Sequence, residues 1–414
     1  MDKIFVQIAA YCDPQLKPTV EDLFAKAKHP ERLRVAILWQ QTEEELGVQF
    51  DIPGFTDRIK IKPFYWRESK GVCWARHLLN TMWAGEVFTL QIDSHMRFVQ
   101  DWDEEMVTMW RSLYDPSALL TGYPPEFEPT KPFEQWVHHP YMCHVPCFHG
   151  RYPYSLPKMI PNWQLLSTPI RGVHVSAGFI FGPGEIAMKV QYDPDLYFCG
   201  EETAMTVRFW THGYNIYHPH RVLLWHYYTR PNEKKHWSDH ANWANLNVRS
   251  YERLDSLLLR GSASNPGVNL GYYGLGTCRN LQSYITYSGI DTHKCRVHPE
   301  TARGLTPPAT NTPESWSEAQ VEFNKLLTWD YNAIPGCGSP DVKFWALIVK
   351  DTHDVELFRK DLLQTQHADI LSGVQSSFQV KFSHSANQKI KDIVIWPYMH
   401  STQWTLAPYR ARIT

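Results

Sequence analysis

The chain has 414 residues, 43% hydrophobic and 20% charged, a globular composition long enough for two or three domains at roughly 150 residues each. Lys and Arg number 41 against 43 Asp and Glu, a formal charge of −2 with no basic run, so no nucleic acid is expected as a partner. No stretch reaches the ~20 apolar residues of a membrane span, the N-terminus lacks a secretory pattern, and eight scattered cysteines read as free thiols of a cytoplasmic protein.

"IFVQIAAY" (Ile4–Tyr11) reads as a strand ended by "CDP". Thr19–His29 carries apolar residues at helical spacing, with Thr19 as the expected N-cap. Arg32–Gln40 reads as a second buried strand, and Arg58–Phe64 alternates like a third. An amphipathic pattern from Glu68 predicts a long helix stopped at Gly85. "VFTLQID" (Val87–Asp93) is the next strand, and "WDEEMVTMWRSLY" (Trp102–Tyr114) a helix with an acidic start. This is the rhythm of an α/β domain with a mostly parallel sheet, where ligands gather at the carboxyl ends of the strands.

Residues 122–170 are rich in Pro, His and aromatics without a period, which predicts a loop-rich insertion, a candidate acceptor region. Val175–Ile186 resumes a strand, "GEE" opens a helix from Glu201 to His212, and "HRVLLWHYYTR" (His220–Arg230) reads as a last strand, before a helix over Asn242–Leu259. A Pro- and Thr-rich stretch marks a linker at 304–316, after a catalytic domain at 1–303. Ser317–Leu327 is expected to be helical. "KFWALIVKD", "SSFQVKFSH", "IKDIVIWPYM" and "TQWTLAPYRARI" then predict a small antiparallel β-rich domain over 317–414.

Two residues apart on an extended backbone, Asp93 and His95 point the same way and can grip one ion. His226, at another strand end, completes a set of three ligands, with His218 and His220 as rivals otherwise read as surface residues. Oxygen with nitrogen suits Mn²⁺ better than Mg²⁺. A polar turn after a strand accounts equally for "DSH" taken alone. No HExxH, Walker A or GxGxxG pattern occurs, so an α/β sheet with a metal at a strand end points to nucleotide-sugar chemistry.

"QIDSHMRF" resembles the Asp-x-His metal motif of polypeptide GalNAc-transferases. "KGVCWARH", "SAGFIFG", "FCGEE" and "LLWHYY" follow the same family's order of segments. The opening strand and helix and the block "WARHLLNTMWAGEVFTLQIDSHMRF" resemble glycosyltransferase family 60 more closely, over about residues 1–260. The resemblance implies a GT-A (nucleotide-sugar-binding, Rossmann-like) catalytic domain that moves GlcNAc from UDP-GlcNAc to a polypeptide hydroxyl with retention, using Mn²⁺. It implies Asp93, Ser94 and His95 at the metal and diphosphate, His226 as third ligand, and Arg76 on the diphosphate. Ala9, Ala10 and Tyr11 would lie at the uracil, and Glu201 or Glu202 at the sugar, with Asp93 and both glutamates as candidate catalytic residues. Each has a plainer reading: a solvated helix arginine, a core tyrosine, a dipole-matched acidic helix start. Trp225 and Trp237 read as core aromatics before acceptor contacts. Alternatives are a UDP-glucose or UDP-GalNAc donor with a glycan or small-molecule acceptor, and a carbohydrate- or peptide-binding protein with a structural metal.

Overall fold

The central strands combine apolar residues with buried polar ones, Gln7, Thr89 and Gln91 among them. β1 (Ile4–Tyr11), β2 (Leu33–Gln41) and β4 (Phe88–Asp93) are buried on both faces, as parallel strands flanked by helices must be. Between them lie α1 (Leu16–Ala25), β3 (Ile59–Tyr65) and α2 (Val72–Asn80). The chain continues through β5 (Met96–Phe98), α3 (Trp102–Arg111), β6 (Ala118–Thr121), β7 (Tyr141–His149), β8 (Tyr152–Met159), β9 (Ile170–Arg171) and β10 (Phe179–Pro183). Then come α4 (Ile186–Lys189), α5 (Glu201–Thr211), β11 (Asn215–His218), β12 (Leu224–His226), α6 (His236–Asp239) and α7 (Trp243–Leu257). α8 (Leu281–Ser288) and the pair β13 (Ile290–Asp291) and β14 (Arg296–Val297) complete this part. The computed structural model describes residues 2–149, 152–230, 233–260, 267–312, 314–316, 320–352, 356–385, 389–401, 403–405 and 407–413.

The main sheet runs β3-β2-β1-β4-β10-β6-β11-β9, with β3, β2, β1 and β4 mutually parallel and β10 antiparallel to β4 and β6. The chain forms two compact units, 1–297 with 304–309, and 298–303 with 310–414. The first is α/β, as expected. The second, after α9 (Pro299–Ala302), holds β15 (Gln320–Thr328), β16 (Val342–Asp351), β17 (Glu356–Leu363), α10 (Ala368–Leu371), β18 (Ser377–Ser385), β19 (Ile390–Met399), β20 (Gln403–Trp404), β21 (Tyr409–Arg410) and β22 (Arg412–Ile413). Its sheets β18-β15-β22 and β17-β16-β19-β20 share one apolar core that includes Leu327, Trp345, Val380 and Ile395, so this β-rich unit is a sandwich.

Several local expectations are corrected. α1 begins at Leu16, and Thr19 is no cap: its buried hydroxyl donates to the Ser94 carbonyl (2.9 Å) and accepts from Met96 N–H (2.9 Å). α2 ends at Asn80, five residues before Gly85. The helix expected over Ser317–Leu327 is strand β15 from Gln320 onward, and 317–319 lie outside the described residues. Phe323 and Leu327, four apart, satisfy a helical and an alternating pattern alike; pairing with β18 decides. The 122–170 segment contains the hairpin β7–β8, whose prolines and register shift between His144 and Cys147 hide its alternation. β12 is three residues long and pairs with β5, outside the main sheet.

Candidate active site

A cavity of about 440 Å³ opens at the carboxyl ends of β1 and β4, and Ala9, Tyr11, Arg76, Asp93, Ser94, His95, Glu201, Glu202 and His226 all line it. Asp93 is the last residue of β4, in register with Ala9 of β1. Across from it stands Gly178, where an added Cβ would lie 3.0 Å from Asp93 Oδ2, so a bare backbone leaves the carboxylate its room. The chain turns after Asp93 into β5, which pairs with β12 so that His226 faces Met96, and Tyr227 N–H donates to the His95 carbonyl (3.1 Å). That ribbon sets the two imidazoles 4.5 Å apart, and His226 Nε2 3.1 Å from Asp93 Oδ2.

One ligand atom each from Asp93, His95 and His226 lies within 4.8 Å of the others. The set fits a divalent ion with mixed ligation. His226 Nδ1 is buried without a hydrogen-bond partner, and burial, then the neighbouring His95, pushes the imidazole down to about 4, keeping it in its neutral, ligating form. Burial works against the charge of Asp93, but the hydrogen bond from His226 and the Arg76 guanidinium outweigh it and hold the carboxyl well below the usual range.

Arg76, on α2 and 3% exposed, is no solvated helix residue. Nη2 donates to Asp93 Oδ1 (2.8 Å) and Nη1 donates to Glu201. Although burial disfavours its charge, Glu201, Tyr192 and Asp93 raise its pKa above the ordinary value. The helix starts beside the cavity because Gly71 takes φ +106° with Tyr197 packed where a side chain would project, 2.7 Å from the position of an added Cβ. Glu201 and Glu202 open α5 but are not solvent-facing dipole caps. Glu201 is buried against Arg76, while Glu202 Oε1 accepts from Ala177 N–H (2.9 Å). Burial raises both carboxyls, Glu202 to about 7.

Tyr11 is a wall residue, its hydroxyl donating to Asp239 Oδ2 (3.0 Å); burial and that carboxylate raise its pKa. Above it, His236 bridges the Tyr197 hydroxyl (2.7 Å) and Ser69 Oγ (2.9 Å). Arg230, Lys234 and Lys235 also line the cavity, and burial, with Arg230 nearby, lowers Lys235 to about 8. Sequence reasoning missed these four, although "RPNEKKH" directly after the His226 strand concentrates cations. It also missed Asp13 of "CDP", a carboxylate just past a parallel strand, as Asp93 is at the end of its own.

His218 and His220 are not surface residues. Both are buried away from the cavity lining, His218 Nδ1 2.7 Å from the Thr121 carbonyl. Trp225 is core, donating to the Val137 carbonyl (2.7 Å), whereas Trp237 is 43% exposed on the cavity wall beside Phe198.

No curated protein matches the sequence. Among solved structures, one described as GalNAc-T7 with UDP, GalNAc and Mn²⁺ is similar at TM-score 0.46 and 14% identity, over 72% of this chain. The chain spans 55% of the length of that structure. TarS 1–349 of S. aureus is similar at TM-score 0.37 and 10% identity, over 73% of this chain and 83% of that one. Its complex with UDP-GlcNAc scores 0.37 at 11% identity, over 73% and 84%. The family model described as Glycosyltransferase (GlcNAc) matches residues 3–53 and 53–294, more than half of the chain and every residue of the cavity described above. The chain belongs to that glycosyltransferase family.

Proposed function

We propose that this glycosyltransferase has a GT-A catalytic domain over 1–303, followed by a linker and an accessory domain over 317–414. It moves GlcNAc from UDP-GlcNAc to a Ser, Thr or hydroxyproline hydroxyl of a polypeptide, forming an α-linkage, in the cytoplasm and as a relative of family 60. The observation that carries this reading is the gathering of Asp93, His95 and His226 beside Arg76 at the carboxyl ends of parallel strands. The GlcNAc in the family's description supports the donor.

Asp93, His95 and His226 would hold a divalent ion, Mn²⁺ by ligand type, which when bound would supply charge stabilisation on the departing diphosphate. Arg76 adds a fixed positive charge, already oriented by Asp93 and Glu201, so it needs no reorganisation when charge develops. Of the residues that line the cavity, we assign Tyr11 and Ala9 to the uracil and Ser94 to the diphosphate. With Glu201 engaged by Arg76, Glu202 is the carboxyl we assign to a sugar hydroxyl, to which its retained proton is donated. The bond from sugar C1 to the phosphate oxygen breaks while the acceptor oxygen bonds C1 from the same face, and the acceptor's proton passes to the leaving phosphate. The chain's share is positioning and electrostatics. The β7–β8 hairpin brings Tyr152 and Pro153 to the cavity wall, which supports an acceptor role for that segment.

Incubation with a panel of UDP-sugars and metals, scored by released UDP, tests the donor. UDP-GlcNAc with Mn²⁺ is expected to be turned over fastest. Preference for UDP-glucose or UDP-GalNAc would replace the donor, and binding of glycan with no turnover of any UDP-sugar would refute the enzyme reading.

A further inference from the structure

The "CDP" that ends β1 has no place in the roles above, yet Asp13 is among the most deeply buried acids of the molecule, at 3% exposure. Cys12 takes φ +45°, a left-handed conformation uncommon for a residue with a side chain, and this bend accompanies the turn of Asp13 back toward β4. Three polar atoms converge on Asp13 Oδ2: His95 Nδ1 at 2.6 Å, and the donors Ser94 Oγ at 2.6 Å and Arg230 Nη1 at 3.4 Å. The other oxygen accepts from Gln15 N–H at 2.9 Å, which fixes the carboxylate plane. Asp13 is not one of the three clustered ligand groups; it stands behind one of them.

Asp13 already uses both its oxygens as acceptors, Oδ2 for the hydroxyl of Ser94 and the guanidinium of Arg230 and Oδ1 for Gln15 N–H. Its contact with His95 therefore requires the proton on Nδ1, which leaves the Nε2 lone pair for a cation. We propose that Asp13 is the positioning residue of the metal site: it selects the Nδ1–H tautomer of His95, locks the ring, and through Arg230 ties the segment after β12 to the same carboxylate. Outer carboxylates of this kind typically govern metal affinity by on the order of 10–100-fold. The inference rests on the reading of Asp93, His95 and His226 as metal ligands, and it adds what makes His95 competent.

The test uses the full-length chain, with Mn²⁺ alone as probe, titrated by electron paramagnetic resonance. Asp13→Ala is expected to weaken Mn²⁺ binding on the order of 10–100-fold, and Asp13→Asn, whose amide oxygen still accepts from Nδ1–H, by less. Melting curves in EDTA check that each variant is folded; should the alanine variant not fold, the asparagine variant carries the titration. Long-range ¹⁵N–¹H spectra of the metal-free wild type, with His95 assigned by its loss in His95→Gln, should show Nδ1–H. That signature does not follow from a merely structural role. An Nε2–H tautomer in the wild type, or Mn²⁺ affinity within about twofold in folded variants, overturns the inference and leaves the metal site standing. If the wild type binds no Mn²⁺, the metal site itself falls, and this inference with it.

Discussion

The two units bury different things. Among the described residues of 310–414 the buried set is apolar except for Asp351, whereas the α/β unit buries Asp13, Arg76, Asp103, Asp193, Glu201, Arg208 and Asp291. Burying an ion costs several kcal/mol unless partners and hydrogen bonds offset it. The sandwich closes its core with Phe323, Trp345, Leu347 and Ile395 and buries far fewer charged groups among its described residues. Folding alone therefore does not explain why Arg76, Asp93 and Glu201 are held together at a strand end. They make sense as a charge set prepared for a ligand, with the α/β unit bearing the energetic load of that preparation.

The comparison breaks most sharply at Arg76. Arg76→Ala leaves Asp93 and Glu201 facing each other without a counter-ion, and an expected loss of about 3–5 kcal/mol would lower the melting transition. UDP-sugar turnover should fall by at least ~10²-fold even where the variant is folded. Stability unchanged in urea titration would show that the charges are less costly than argued. In the sandwich, Leu347→Ala removes neutral packing. It should cost about 2–5 kcal/mol by the same titration, with donor turnover at low temperature near that of wild type.

A smaller effect concerns Glu202. Its pKa in the fold, about 7, lies above its ordinary value of 4.5, so the folded state holds that proton more tightly than the unfolded one. The stability it contributes is present below about pH 4.5 and is lost as pH rises through about 7. Turnover should show an alkaline decline near neutral pH, which Glu202→Gln flattens; an unchanged profile in that variant would remove Glu202 from the sugar contact. The smallest effect is expected at the Lys381–Glu322 pair (2.8 Å), exposed on the sandwich. Lys381→Ala should leave the melting temperature unchanged within error, since exposed pairs contribute little.

Much of the site was legible because it lies where the sequence pattern is strongest. β1 is an apolar run broken only by Gln7, β4 alternates Phe88, Leu90 and Ile92 with Thr89, Gln91 and Asp93, and "DSH" falls at the carboxyl end of β4. What stayed hidden depends on contacts between distant segments. Thr19 has the composition of a cap, but its hydroxyl is used 75 residues away, at the Ser94 carbonyl. Glu201 and Glu202 are adjacent and identical in sequence, and only burial against Arg76 and Ala177 separates their roles. His218, His220 and His226 all follow apolar residues, and the β5–β12 ribbon, three residues a strand, is what selects His226. Gly85 could end a helix by composition, yet α2 has stopped five residues earlier.

The central claim is that the charges at the end of β4 serve metal-dependent sugar transfer. Its most direct test is UDP release from UDP-GlcNAc by wild type and Asp93→Ala, across a Mn²⁺ titration, with folding of the variant checked by its melting curve. The account predicts Mn²⁺-dependent release by the wild type and a loss of at least ~10³-fold in the variant that saturating metal does not restore. Turnover in Asp93→Ala equal to wild type under saturating Mn²⁺ would contradict it.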